Sequence, residues 1–247
     1  MIENEQVQQA AALFFSLLKR KVIPLDDPIV QSYFREEGVR DALRILANES
    51  GTELLQTQDR LHLVARPQGS VFATSFTHMK NRYGELETKK YFYLQNVIML
   101  VFLAEIDVEN GHRLRWENQG ISYYQLERQV DLTLKRWREK EEESEGWFSR
   151  DWGVAVSEMA DLWAALSTQD ETGENPASLT RRTRLGNIAL AMRVLRDENL
   201  VYIAEDILRV TPRPELYERL EGIYHRQDRY LELRNLIRRS LSEEGLL

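Results

Sequence analysis

Two separated stretches of the chain share one pattern of hydrophobic and polar positions, an apolar-faced helix followed by two short strands around a polar turn. The first copy consists of a helix face at Val39, Ala42, Leu43 and Leu46 and strands at residues 52–56 and 61–65. The second consists of a helix face at Leu185, Ile188, Ala189, Met192 and Leu195 and strands at residues 201–203 and 207–210. A helix followed by such a hairpin is the closing half of a winged-helix domain. The pattern therefore predicts a mainly α protein with small β-wings, built from tandem winged-helix domains.

Helix-breaking and helix-capping residues predict how the rest of the chain is divided. A first helix is expected from Glu5 to Val22, because Pro24 cannot continue the hydrogen-bond ladder. Ser122 followed three positions later by Gln125 fits a capping box, with Ile121 as an apolar staple before it. We therefore predict an N-terminal winged helix at residues 1–84, a helical middle region at 85–167 and a C-terminal winged helix with terminal helices at 168–247.

The composition is that of an ordinary globular protein without cysteine chemistry. The 247 residues are 43% hydrophobic and include no cysteine, which excludes a disulfide framework and a thiol nucleophile. The N-terminus is acidic where a signal peptide is basic. The most apolar segment, residues 91–106, contains Gln95 and Glu105 and is shorter than the roughly 20 residues of a membrane span. We expect a cytoplasmic protein that does not enter the membrane.

No motif in the sequence predicts catalysis, a cofactor or a metal ion. The chain has four histidines, His62, His78, His112 and His225. They are widely separated, and we expect structural or surface roles for them. The sequence has no P-loop, no dinucleotide-binding glycine fingerprint and no nucleophile elbow. Glu87 and Lys89 form one Glu-x-Lys pair of the kind that nucleases use, but the surrounding pattern is typical of a solvated helix face.

Positive charge is concentrated in the second helix-and-hairpin stretch, although the formal net charge of the chain is −7. This group consists of Arg181, Arg182, Arg184, Arg209 and Arg213. Guanidinium groups bind phosphate in a forked geometry, and a helix N-terminus adds unpaired N–H groups, so a nucleic-acid backbone is a candidate ligand. The alternative is that these arginines pair across a solvated surface with Asp197, Glu198, Glu205 and Asp206. The sequence leaves both interpretations open.

A second cationic cluster follows the first predicted wing. It consists of Lys80, Arg82, Lys89 and Lys90. Glu85 and Glu87 lie between its members and reduce its local charge, so it is the weaker candidate for binding DNA. The first helix-and-hairpin stretch offers Arg40, Asp41 and Arg44 and little else polar for reading bases.

The stretch from Leu195 to Pro212, together with the earlier wing and the chain length, resembles the kite subunits of bacterial SMC-like complexes, in particular those of the Wadjet plasmid-defence systems. The resemblance covers the architecture of most of the chain and consists of hydrophobic patterns. It implies a non-catalytic, dimeric, tandem winged-helix protein that binds a segment of a kleisin subunit and helps an SMC-like ATPase engage double-stranded DNA without sequence preference. The arginine group above is the surface that it offers to DNA. The aromatic-rich middle from Tyr123 to Trp163 is not part of that pattern.

Two other functions remain open at the level of sequence. A free-standing winged-helix transcription regulator would bind one operator sequence as an isolated protein, whereas a kite subunit would bind duplex DNA weakly and without sequence preference. An enzyme with an unfamiliar site would depend on residues such as Glu87 or Lys89.

Overall fold

The computed structural model describes residues 2–66, 69–71, 74–107, 119–169 and 179–242. Contacts between Cα atoms divide the chain into two compact units, Met1–Ser75 and Phe76–Leu247. The boundaries predicted from the sequence lie after residues 84 and 167, whereas these contacts divide the chain once, after residue 75. The described residues are mainly helical and form two small antiparallel sheets of three strands each, which confirms the predicted mainly α class with small β elements.

The first unit contains one of the two predicted helix-and-hairpin stretches and a leading strand that the sequence analysis missed. In chain order it consists of α1 (Asn4–Arg20), β1 (Val22–Pro24), α2 (Gln31–Arg35), α3 (Glu37–Glu49), β2 (Thr52–Gln56) and β3 (Arg60–Ala65). The strand order is β1-β3-β2, with Ile23 opposite Leu61. The predicted end of the first helix at Val22 is therefore wrong, because Val22 pairs in the sheet instead of continuing α1.

The core of the first unit lies between α1, α3 and the sheet. Leu17 of α1, Leu43 of α3 and Leu61 of β3 are fully buried there. Gly51 connects α3 to β2 with a positive φ of 64°, and an added Cβ would lie 2.5 Å from the carbonyl oxygen of Gly69. The turn into the hairpin therefore requires glycine at this position.

The second unit repeats the order of a leading strand, helices and a closing hairpin, with longer helices. It consists of α4 (Phe76–Arg82), α5 (Lys89–Ile106), β4 (Ile121–Ser122), α6 (Tyr123–Glu143), α7 (Trp147–Trp152), α8 (Val156–Ala164), α9 (Arg184–Asp197), β5 (Val201–Ala204), β6 (Arg209–Pro212), α10 (Pro214–Gly222) and α11 (Asp228–Ser242). The strand order is β4-β6-β5, which matches the order in the first unit. Ile121, expected as a helix staple, instead pairs with Val210 in the sheet. The hydroxyl of Ser122 accepts a hydrogen bond from the Gln125 amide, which is one half of the predicted capping box. The Gln125 side chain donates to Glu105 at 3.1 Å, so the reciprocal bond of the box is not made by this group.

One hydrophobic core holds the second unit together. It includes Phe102 of α5, Trp137 of α6, Trp163 of α8, Ile188 of α9 and Ile237 of α11, all nearly inaccessible to solvent. The helices of the predicted middle region and those of the predicted C-terminal region therefore share one hydrophobic core. The aromatic-rich middle supplies a large part of its volume.

The most apolar helix, α5, is part of this core. Gln95 of α5 is fully buried and donates a hydrogen bond of 3.0 Å to the side-chain oxygen of Asn187 on α9. Within the described ranges, no helix combines the length and the apolar character that a bilayer crossing needs.

Candidate nucleic-acid interface

The structure separates the arginines that the sequence placed together at the start of α9. Thr183 is the N-cap of α9, and its hydroxyl accepts a hydrogen bond of 3.0 Å from the Gly186 amide. Arg181 and Arg182 therefore lie in the chain before the helix, and only Arg184 belongs to its first turn. The three side chains have different surroundings.

Arg184 points into the protein and connects three helices of the second unit. Its guanidinium bonds Glu127 at 2.9 Å and Asp131 at 3.1 Å, both on α6, and its Nε donates to the carbonyl oxygen of Trp163 on α8. The guanidinium also lies 5.2 Å from the centre of the Trp163 ring. With 19% of its side chain exposed and two carboxylate partners, Arg184 has a structural role.

Residues 76–88, which we call the α4 segment, cover the outer side of α9. Met79, Tyr83 and Leu86 of this segment are buried against Leu190 of α9 in a small separate cluster. The Tyr83 hydroxyl donates a hydrogen bond of 2.8 Å to Asp197 at the end of α9. Burial, followed by this hydrogen bond, raises the pKa of Tyr83 to about 12. The α4 segment is therefore a packed layer on α9.

The α4 segment also supplies carboxylates to the arginines of α9 and its approach. Glu87 forms an ion pair with Arg181, and this hydrogen bond raises the pKa of Arg181. Glu85 bonds Arg193 at 2.6 Å. Partial burial is the largest single influence on Glu85 and opposes its ionisation. The hydrogen bond from Arg193, a backbone hydrogen bond and the Arg193 charge together outweigh it, so the pKa of Glu85 lies below its ordinary value. The charges that an open helix would offer to phosphate are compensated within the chain.

The remaining residues of the predicted arginine group lie around the second hairpin. Arg213 makes a forked pair with Glu215, with distances of 3.2 and 3.0 Å, and its guanidinium lies 4.7 Å from the centre of the Tyr202 ring. Arg209 donates to the carbonyl oxygens of Gln119 and Gly120, so its partners are neutral. Arg182 is exposed, and no described residue pairs with it.

The members of the second predicted cationic cluster also differ in whether they form ion pairs. Arg82 bonds Asp197 at 3.3 Å and lies 3.9 Å from Glu198, and Lys90 lies 3.5 Å from Glu158. Lys80 and Lys89 are exposed and form no ion pair with any described residue. Two of the acids that the alternative interpretation named, Asp197 and Glu198, thus pair with Arg82, and Glu205 pairs with Arg196.

A cationic cleft in the first unit was missed by the sequence analysis. Arg40 and Arg44 of α3 and Arg66, just after β3, line a cleft of about 280 Å³. Arg40 donates to the carbonyl oxygens of Tyr33 and Phe34 at the end of α2, at 3.1 and 3.0 Å. Arg66 donates to the side-chain oxygen of Asn48 at 2.7 Å. Only the register of the hairpin brings Arg66 to α3, so no local pattern in the sequence predicts this cluster.

Asp107, at the end of α5, is the centre of a buried polar cluster. Its carboxylate lies 2.8 Å from His225 Nε2 and accepts hydrogen bonds of 2.9 Å from the Tyr230 hydroxyl and 2.8 Å from Arg234. Burial, together with the neighbouring Asp107 charge, raises the pKa of Tyr230 above its ordinary value. Three donors on the C-terminal segment thereby bind one acid on α5. His225 has the structural role that was expected for it.

The residues of the Glu-x-Lys pair lie on the α4 segment and at the start of α5. No group of three or more histidine, aspartate and glutamate side chains in the described part of the chain has the geometry of a metal site. Glu87, the carboxylate of the Glu-x-Lys pair, forms an ion pair with Arg181. His112 lies outside the described residues.

Comparison with known proteins identifies the family of the chain. No curated protein and no solved structure matches it with significance. A family of unknown function, DUF6063, matches over residues 1–243, which is nearly the whole chain. The protein therefore belongs to the DUF6063 family.

Proposed function

We propose that this protein is a non-catalytic, kite-type accessory subunit that acts in the cytoplasm, where it dimerises, binds a kleisin-like segment and helps an SMC-like ATPase engage DNA in defence against plasmids. The observation that carries this proposal is the repeated topology of the two units. In each, a short leading strand is followed by helices and a closing hairpin, and the last strand lies in the middle of the sheet. A leading strand, a helix and a hairpin in this order make a winged helix, so the repeat supports a tandem winged-helix protein.

The distribution of charge supports binding of DNA without sequence preference. The cations of the second unit that lack a carboxylate partner among the described residues include Arg182, Lys80 and Lys89, all on the surface. Side chains of this kind contact phosphates and position a duplex without reading bases. Arg184 belongs to the interior of the second unit, so a change there tests folding instead of DNA contact.

Co-purification tests the proposed partners. A tagged copy expressed from its native operon is expected to retain a kleisin-like protein and an SMC-like ATPase through a high-salt wash. Recovery of the chain alone, with binding to one operator sequence at least about 10³-fold tighter than to unrelated duplex, would instead identify a transcription regulator.

The proposed homodimer has a candidate surface on α1. Val7 and Phe15 of α1 are 44% and 66% exposed, and Ala11 and Ala12 lie between them along the helix. Glu3 is the N-cap of the helix and Glu5 lies in its first turn, while its last turn carries Lys19 and Arg20, of which Arg20 is bonded to Asp27 at 2.6 Å. Two copies packed antiparallel about a two-fold axis bring the acidic end of one helix beside the basic end of the other. This self-complementarity favours a second copy as the occupant of the surface.

Replacing Phe15 by glutamate should therefore convert the dimer to a monomer in light scattering at micromolar concentration, because symmetry places two buried charges in one interface. Val71→Glu is the matched control, since Val71 is an exposed apolar residue of the same unit at 68% exposure and lies outside α1. Equal masses for Phe15→Glu and the unsubstituted chain would rule out the α1 surface.

A further inference from the structure

We infer that the cationic cleft of the first unit, formed by Arg40, Arg44 and Arg66, binds the phosphate backbone of duplex DNA. This inference rests on the proposed function and assigns its DNA contact to a different unit from the one that the sequence indicated. The neutral partners of Arg40 and Arg66, the spacing of the row and the exposure of Arg44 and Arg66 carry it.

The partners of two cleft arginines hold them in place without cancelling their charge. Arg40 is held by two main-chain carbonyl oxygens, and Arg66 by the amide oxygen of Asn48. A guanidinium has five N–H donors, so each retains further donors for a phosphate oxygen. Neutral acceptors orient the donor group in advance, which reduces the entropy lost on binding.

The third arginine and the acids near the cleft leave a net positive lining. Arg44 pairs with Asp41 at 3.1 Å, but their side chains are 68% and 45% exposed, so this surface pair is weak. Glu53 is the one acid among the residues that line the cleft, against three arginines. A polyanion therefore meets an excess of positive charge there.

The corresponding helix of the second unit has the opposite arrangement. Arg181 and Arg193 are paired with Glu87 and Glu85 of the α4 segment, which also packs on α9. Binding phosphate there requires two ion pairs to be broken and the apolar contacts of Tyr83 to be exposed. In the cleft of the first unit, phosphate displaces one exposed pair at most, that of Arg44 with Asp41, because α3 keeps Arg44 and Asn48 exposed.

The spacing of the row favours a polymer over a single anion. Arg40, Arg44 and Asn48 follow one another on one side of α3 at intervals of about one turn, so the row extends about 12 Å at ~1.5 Å per residue. Arg66 is bonded to Asn48 at its far end. One strand of duplex DNA carries a phosphate about every 3.4 Å along the axis, so such a row spans several phosphates.

The test measures binding of the full-length protein to a labelled duplex of random sequence between about 50 and 200 mM salt. The double variant Arg44→Gln and Arg66→Gln should bind about tenfold more weakly at the lower salt, and the slope of log K against log salt should fall by about two, because two phosphate contacts are lost. The variant Arg44→Lys and Arg66→Lys should keep the salt slope of the unsubstituted protein, because both positive charges remain. Arg40 is left in place because it tethers α2.

The comparison variant is the double variant Arg182→Gln and Lys89→Gln, which removes two open cations of the second unit that the proposed function also offers to phosphate. If the cleft supplies the main contact, this variant should lower the slope by less than the cleft variant does. A larger loss in this comparison variant, with no change in the cleft variant, would overturn the inference and leave the proposed function intact. Absence of duplex binding by the unsubstituted protein, or binding of inorganic phosphate alone in calorimetry, would also overturn it. Co-purification of the partner proteins is independent of either result, so the two failures can be told apart.

Discussion

Replacing Asp107 by alanine is expected to lower the free energy of unfolding of the second unit by about 3–5 kcal/mol, the largest effect of any single change considered. The carboxylate is almost fully buried and accepts hydrogen bonds from His225, Tyr230 and Arg234. Removing it leaves the Arg234 charge without its ion-pair partner and the Tyr230 hydroxyl unbonded. It also releases α11 from the end of α5.

Tryptophan fluorescence during urea unfolding measures this effect directly. All five tryptophans of the chain lie after residue 75, so their emission reports on the second unit alone. Asp206→Ala is the matched control, because Asp206 is exposed in the second hairpin and no described residue pairs with it. It should change the stability by less than about 0.5 kcal/mol. A loss below about 1 kcal/mol for Asp107→Ala would show that the cluster contributes no more than ordinary surface hydrogen bonds.

Replacing Gly186 by alanine should destabilise the second unit by about 1–3 kcal/mol, although helix propensity alone predicts the opposite sign. Gly186 lies in the first turn of α9, where an added Cβ would overlap the carbonyl oxygen of Thr180 and lie 2.9 Å from the carbonyl carbon of Leu179. Both are main-chain atoms, so the clash is relieved only by moving the segment that carries Arg181. We therefore expect loss of its ion pair with Glu87 as well.

The sign of the change in stability shows whether the steric clash or the helix propensity of alanine has the larger effect. Gly84→Ala is the control, because an added Cβ there meets no atom within 4 Å. It should leave the fluorescence-detected unfolding midpoint within the range of surface substitutions. A midpoint for Gly186→Ala that is equal to or above that of the unsubstituted protein would mean that helix propensity outweighs the clash, and that the approach to α9 is looser than the structure describes.

The two hairpins and the helices before them were predicted from the sequence because their signals are local, although β6 lies at Arg209–Pro212 and the predicted strand was at 207–210. β2 was predicted at its observed bounds, and all four residues of the predicted helix face before it lie within α3. The leading strands β1 and β4 were missed because their pairing is not local. β1 and β4 are only three and two residues long, and each pairs with a strand far along the chain, Ile23 with Leu61 and Ile121 with Val210. A short segment carries too few residues for a pattern to indicate a distant partner.

The candidate site was less predictable than the fold because it depends on charge pairing. The sequence shows a concentration of arginines, and the acids expected to pair with them were those nearby along the chain. The acids that pair with Arg184 lie on α6, and Glu127 among them is 57 residues away. Arg66 is 18 residues from Asn48, and the hairpin brings them together. Which arginine keeps its charge available is therefore decided by packing.

By itself, the sequence determined the class of the protein, the local helix-and-hairpin stretches and the lack of cysteine chemistry, because composition and periodicity depend only on the order of residues. The tertiary structure decided that α9 is covered by the α4 segment and that Asp107 binds three donors of the C-terminal segment. It also decided that Arg40 and Arg66 of the first unit are held by neutral acceptors beside one cleft. These features depend on which surfaces meet when the apolar faces are buried, and residues distant along the chain supply the two sides of each contact.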